Sequence, residues 1–162
     1  MPAVRLEFDV SYAARKPWVP SARQLAAWAT AVLVAAVKVP AGRKRRPNSL
    51  VLSVRVVGVA GSRRLNARYR RKDHATNVLS FGGAGAAPDG RYFLGELVIC
   101  APVVDREALA QGKTRRAHWA HMTVHGVLHL LGFDHETAAE AVEMEAREAQ
   151  ILDRLGFSAP HR

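Results

Sequence analysis

The chain has 162 residues, 49% of them apolar and 23% charged, with a formal net charge of +10 and a pI near 10.8. That composition belongs to an ordinary folded protein with enough chain for a core, and it excludes long disordered tracts. A single cysteine, Cys100, excludes an intramolecular disulfide and fits a reducing cytoplasm; Glu7 and Asp9 interrupt any signal-peptide core, and no apolar run reaches about 18 residues, so neither secretion nor membrane spanning is expected.

Leu6, Phe8 and Val10 alternate with polar residues after Val4, the period of a half-buried strand. Pro17 and Pro20 break the chain, Ser21 is a capping residue, and Leu25 to Val37 reads as an Ala-rich core helix. Arg43 to Arg46, between Gly42 and Pro47, forms an exposed basic loop. The β-branched run from Leu50 to Val57 predicts a strand closed by Gly58. Ser62 is expected to begin a short helix through Arg70, crowded by Arg63, Arg64, Arg68, Arg70, Arg71 and Lys72 with Tyr69 interleaved. A polar loop from Asp73 to Asn77 leads to a short strand, Val78 to Phe81.

Gly82 to Gly90 reads as a flexible connection, either a hairpin loop or a mobile flap. Phe93 to Ile99 predicts a strand antiparallel to the preceding one; Glu96 within it faces either solvent or a site. Pro102 to Gln111 is a helix, and Gly112 separates it from a long helix beginning near Thr114. Thr137 is placed to cap a last helix through Leu155, ended by Gly156, whose acids, Glu140, Glu143, Glu145 and Glu148, are expected on a solvated face.

The chemistry is concentrated between His125 and His135. His125 and His129 stand four apart in an apolar, Pro-free run and therefore share one helix face. Gly132 is the residue type that ends a helix in a left-handed turn, which returns His135 towards the same point. Three neutral imidazoles without a fourth protein ligand describe an open zinc site of the catalytic kind. The spacing matches the metzincin pattern H-E-x-x-H-x-x-G-x-x-H, except that Gly126 stands where the general-base Glu would be. Gly126 is expected to leave room above the metal for a bulky substrate. Asp134 is placed either to orient a histidine from behind or to stabilise its own turn. His118, two turns before His125, is expected to support the packing, and His121 is a further candidate for the site.

Charge is uneven along the chain. Residues 1–133 hold 21 of the 24 Lys/Arg and 7 of the 14 Asp/Glu, a balance of +14, whereas residues 134–162 hold 3 and 7, a balance of −4. A basic body of this kind attracts phosphate backbones or anionic membranes, or serves solubility.

Several separated segments resemble the bacterial YbeY family: Leu65-Asn66-x-x-Tyr69-Arg70-x-x-Asp73-x-x-Thr76 to Phe81, Leu94-Gly95-Glu96 to Ile99, His125 to His135, and Met144-Glu145-x-x-Glu148 to Gly156. The resemblance implies a single-domain α/β metalloprotein acting as an endoribonuclease on single-stranded RNA in rRNA maturation, at the 3′ end of 16S rRNA, and in ribosome quality control, with the small ribosomal subunit as partner. It implies one zinc held by His125, His129 and His135, with Arg70 lining the cleft; Asp73, Glu96, His121, Asp134 and Gly126 are further candidates. A departure is Gly82, where the family usually has Pro, which leaves the conformation of the following loop open.

The expected architecture is α/β (α+β): one compact domain over residues 1–157, a small mixed sheet of about four strands with about five helices, and a short flexible tail over 158–162. The chemistry follows from the residues: zinc on three imidazoles leaves a position for water and lowers its pKa towards about 7, and Arg70 neutralises charge gathering on a phosphoryl group. Attack by that water and attack by the RNA 2′-hydroxyl both fit. Two other functions also fit the metal motif, a zinc hydrolase such as a metallopeptidase and a ribosome-associated RNA-binding protein with a structural zinc. Another divalent transition metal in place of zinc remains open.

Overall fold

A computed structural model describes residues 5–36 and 47–157. Val4, Val37, the basic run Arg43 to Arg46 and the expected tail from Ser158 lie outside the described residues. Nine elements follow in order: β1 (Arg5–Tyr12), α1 (Ala22–Ala36), β2 (Ser49–Val57), α2 (Val59–Arg70), β3 (Val78–Ala86), β4 (Arg91–Cys100), α3 (Ala101–Ala110), α4 (Arg115–Leu130) and α5 (Ala138–Arg154). The sheet order is β1-β2-β4-β3, with β1, β2 and β4 parallel and β3 antiparallel to β4 at the edge. Among the described residues, no helix is long and apolar enough to cross a membrane.

The strand compositions account for their positions. β2 lies between β1 and β4: Leu50, Leu52, Val54 and Val56 are buried on one face, whereas Val51, Ser53 and Arg55 on the other are only half-buried. β1 is an edge strand and keeps the alternation seen in the sequence. One face of the sheet packs on α1, α4 and α5 in the main core, where Leu25, Leu52, Val54, Leu97, Trp119, Leu128 and Ile151 are buried. The other face carries α2 and α3 over a smaller cluster of Val57, Leu79, Val98, Cys100 and Val103. Burying side chains of this size stabilises by about 1.5–3 kcal/mol each before chain entropy is counted, so the sheet is the rigid reference against which the helices are set.

Two local expectations are corrected. Ser62 does not begin α2: the helix starts at Val59 with Gly58 as its cap residue, and Ser62 is buried mid-helix. Its hydroxyl donates to the Thr76 carbonyl at 3.1 Å and accepts from the Thr76 amide at 2.9 Å, so a residue type typical of caps instead ties the following loop down. The connection from Gly82 to Gly90 is largely strand: β3 runs on to Ala86, and only a short turn separates it from β4. Gly83 serves close backbone approach, since a Cβ there would lie 2.4 Å from the Phe93 carbonyl oxygen. The pairing of β3 and β4 slips between Gly82 and Gly85, the mark of a bulge.

Candidate metal centre and cleft

α4 begins where Thr114 accepts from the Ala117 amide and ends at a glycine-reversed turn. Gly132 has φ +100°, the Gly132 amide donates to His129 O at 3.0 Å and the Phe133 amide to Leu128 O at 3.1 Å. This is the double closure of a Schellman turn, and it swings the chain back over the end of the helix. His135 thereby joins His125 and His129: one ligating atom of each lies within 4.8 Å of the other two. His125 Nε2 and His129 Nε2 are 3.1 Å apart.

Glu148 on α5, read from the sequence as a solvated acid, is buried behind this centre at 7% exposure. Its Oε2 accepts a short hydrogen bond from His125 Nδ1 and its Oε1 accepts from His121 Nε2 at 3.1 Å. Burial raises the Glu148 pKa, and the hydrogen bonds from His121 and His125 outweigh it and hold the carboxyl at about 2. A carboxylate only accepts, so His125 carries its proton on Nδ1 and turns the Nε2 lone pair to the centre. The sequence signal for Glu148 is its place on the stripe of Met144, Ile151 and Leu152, the buried face of α5. Burial, reinforced by His125 and His135, pushes the His129 pKa down and favours the neutral imidazole that binds metals.

This donor set fits a divalent metal. Tetrahedral zinc with bonds of about 2.0–2.1 Å to nitrogen separates its ligand atoms by about 3.3 Å. The 3.1 Å between two Nε2 atoms, one of them fixed as a lone pair by Glu148, is close to that edge.

The three histidines line a cleft of about 540 Å³ whose opposite wall is built from the end of α2, the loop after it and the start of β3. Arg71, with φ 58°, ends α2, and Asn66 donates its side-chain amide to His74 O at 2.9 Å, holding that loop against the helix. Arg70 and Lys72 lie on this wall. The Arg70 guanidinium donates to Ser80 O at 2.9 Å and sits 5.0 Å from the centre of the Phe81 ring, so it is aimed by two contacts from β3. Among the described residues lining the cleft, none is Asp or Glu.

Other candidates from the sequence lie elsewhere. Asp73 pairs on the surface with Arg63, at 2.7 and 3.0 Å, and does not line the cleft. Glu96 pairs with Arg55 at 2.9 Å beside a separate groove along β3 and β4. Asp134 accepts from the His135 amide at 2.8 Å, the turn-stabilising alternative, and lines a different cavity. Its charge acts on His129 only at a distance, raising that pKa against the larger effect of burial. His121 does not join the three histidines; it donates to Glu148 and meets the His125 ring edge-on, 6.5 Å between centres.

Gly126 corrects an expectation directly. It is buried, and a Cβ there would lie 2.8 Å from Leu97 Cδ2 and 3.2 Å from Val78 Cγ2. The space of the missing side chain is therefore taken by the sheet, and the glycine lets α4 settle onto β4 and β3. Its carbonyl accepts from Ser80 Oγ at 3.1 Å, which binds the histidine-bearing helix to the strand that aims Arg70.

Fold and site together define a single-domain α/β protein with a metal-capable histidine centre in a cationic cleft. The family model described as Endoribonuclease YbeY matches residues 15–156. Two proteins named Endoribonuclease YbeY, from two strains of Stenotrophomonas maltophilia, are each 48% identical over 98% of this chain and 94% of their own length. The solution structure of TM1509 from Thermotoga maritima covers 92% of this chain and 89% of its own at a TM-score of 0.58 and 20% identity, a likeness of fold. The chain belongs to the YbeY family.

Proposed function

We propose that this chain is a metal-dependent endoribonuclease that cuts single-stranded RNA in rRNA maturation, with residues 1–157 forming its one catalytic domain and the small-subunit rRNA as its cytoplasmic substrate. The observation that carries this reading is the pairing of three convergent imidazoles with a cleft that holds Arg70 and Lys72 and, among its described lining residues, no carboxylate. A polyanion enters such a cleft without like-charge repulsion. Family membership supplies the reaction class.

His125, His129 and His135 would hold the metal, zinc as the first choice for three neutral imidazoles. When bound, it supplies Lewis acidity towards a phosphoryl oxygen and activation of water at neutral pH. Glu148 keeps His125 in the ligating tautomer. Arg70 binds the phosphate and offsets the negative charge that grows on it in the transition state. Gly126, packed against Leu97, leaves no place for the acid that peptidases with this motif use, and this favours the nuclease over the metallopeptidase.

The test compares wild type with His129→Ala on a defined single-stranded RNA and its duplex, with and without chelator. Wild type cleaves the single strand, chelation and the substitution abolish cleavage, and the duplex is spared. Equal cleavage by the two proteins would refute catalysis at this centre. Product ends carrying a 2′,3′-cyclic phosphate identify the 2′-hydroxyl as nucleophile.

A further inference from the structure

Behind the metal centre a chain of polar side chains runs from the cleft wall to His125. Asn77, on the cleft wall, donates its side-chain amide to both carboxylate oxygens of Glu107 at 3.0 and 3.2 Å. Glu107 accepts from His118 Nε2 at 2.9 Å. Lys113 Nζ lies 3.3 Å from His118 Nδ1 and 3.1 Å from His121 Nδ1, and His121 passes the chain on to Glu148 and so to His125.

Lys113 arrives there by a backbone device. Gly112 has φ +67°, the Lys113 amide donates to Ala108 O at 2.9 Å and the Gly112 amide to Leu109 O at 3.3 Å, a Schellman turn at the end of α3. The turn throws Lys113 back against the first turns of α4, between His118 and His121.

The donor inventory settles the protons. An ammonium has three donors and no acceptor, and a carboxylate has only acceptors. Each of these two histidines stands between one of each, so the ring nitrogen facing Lys113 must carry a lone pair and the one facing Glu107 or Glu148 must carry the proton.

We propose that Lys113 is a positioning residue for the metal centre: by donating to His118 Nδ1 and His121 Nδ1 it anchors the side of each ring that the carboxylates do not hold, and so keeps both rings aimed as Nε2–H donors. His121 then donates to one oxygen of Glu148, which leaves the other for His125 Nδ1. Without Lys113, Glu148 alone holds the His121 proton on Nε2, and the ring, no longer anchored at Nδ1, is free to turn away from the carboxylate. Glu148 would then shift, and with it the ring that presents Nε2 to the metal. Burial pushes the Lys113 pKa down, and Glu148 and Glu107 oppose that effect, so the two carboxylates at either end help to keep the charge in place.

The proposal rests on the metal reading for its consequence, and its first test does not. Long-range proton–nitrogen NMR of the full chain at pH 8, with and without zinc, reports the tautomers of His118 and His121. Both are expected as Nε2–H in wild type, and an Nδ1–H pattern at either overturns the proposal without any variant. Lys113→Met is expected to give a second orientation of the His121 ring, read as doubled or broadened ring signals, and about 10-fold weaker zinc binding in competition with a chelator. Lys113→Arg, which keeps the donors, is expected to restore a single set of signals and the affinity. Wild-type ring signals and affinity in Lys113→Met would overturn the assignment. A protein with the expected tautomers but no zinc affinity would instead count against the metal reading alone.

Discussion

His125 Nδ1 donates to Glu148 Oε2 across 23 residues of chain, joining the histidine-bearing helix α4 to α5. The bond sets which nitrogen of His125 faces the cleft, and it comes from a residue outside the histidine motif.

Removing that bond tests its importance. Glu148→Gln keeps the shape and loses the charge, and its amide presents a donor to one of two histidines that themselves donate. Zinc affinity is expected to fall about 10–100-fold, the usual effect of losing a partner that orients a ligating histidine. Chelator competition measures it, and an affinity within twofold of wild type would show that His125 is oriented by something else.

Arg70 is held by Ser80 and Phe81 at the cleft, away from the imidazoles' own hydrogen bonds. Arg70→Ala is therefore expected to retain its metal while losing about 10²–10³-fold in kcat/KM on single-stranded RNA. Metal content by mass spectrometry and cleavage of a defined RNA are read on the same preparation. Full activity with full metal occupancy would remove Arg70 from the mechanism.

Gly126 lies in the helix–sheet contact. Alanine there gains about 1 kcal/mol of helix propensity, and the contact with Leu97 and Val78 costs about 1–3 kcal/mol by overpacking. Gly126→Ala is expected to lose about 1 kcal/mol, or about 3 °C in Tm, and Gly126→Glu to fail to fold because the acid would be buried against Leu97. A raised Tm for Gly126→Ala would show that the contact is loose. A folded, metal-binding Gly126→Glu would restore the view that this position opens above the metal.

Acid should weaken the metal-free fold in two stages. Burial lowers the pKa of His118 and of His129, so both are held neutral in the fold; their contribution to stability is full above about 6.5 and is lost as pH falls below it. Glu148, held at about 2 against an ordinary 4.5, contributes fully above about 4.5, and that share is lost as pH falls towards 2. Denaturant midpoints measured from pH 8 down to pH 3 should fall first below about 6.5 and more steeply below about 4.5. Glu148→Gln should remove the steeper fall, and an unchanged profile in that variant would assign the acid sensitivity to other groups.

Much of the molecule is legible from local pattern because the forces concerned are local. The alternation in β1, the cap residues Thr114 and Thr137, and the four-residue spacing of His125 and His129 each depend on neighbours within about one turn. Gly132 likewise announces the turn that returns His135. The same local logic misleads at Ser62, which resembles a cap and is a loop tether, and at Gly82 to Ala86, where a glycine-rich run that looks like a loop is strand and Gly83 is needed for close pairing with β4.

The sequence by itself therefore determined the convergence of three histidines on one helix and its turn, together with the order and type of the elements. Only the tertiary structure decided what stands behind and beside that geometry. Glu148 has the composition of a surface acid until α5 packs on α4 and places it under His121 and His125, where burial and hydrogen bonding act together. Gly126 has the look of a vacated catalytic position until the sheet is in place and Leu97 fills it. Asp73 stands between two residues of the cleft wall, Lys72 and His74, and Glu96 pairs with Phe81 across β3 and β4, yet each is drawn off by an arginine. Local spacing fixes the direction of a side chain relative to its own helix, whereas its partner is set by the packing of elements far apart in the chain.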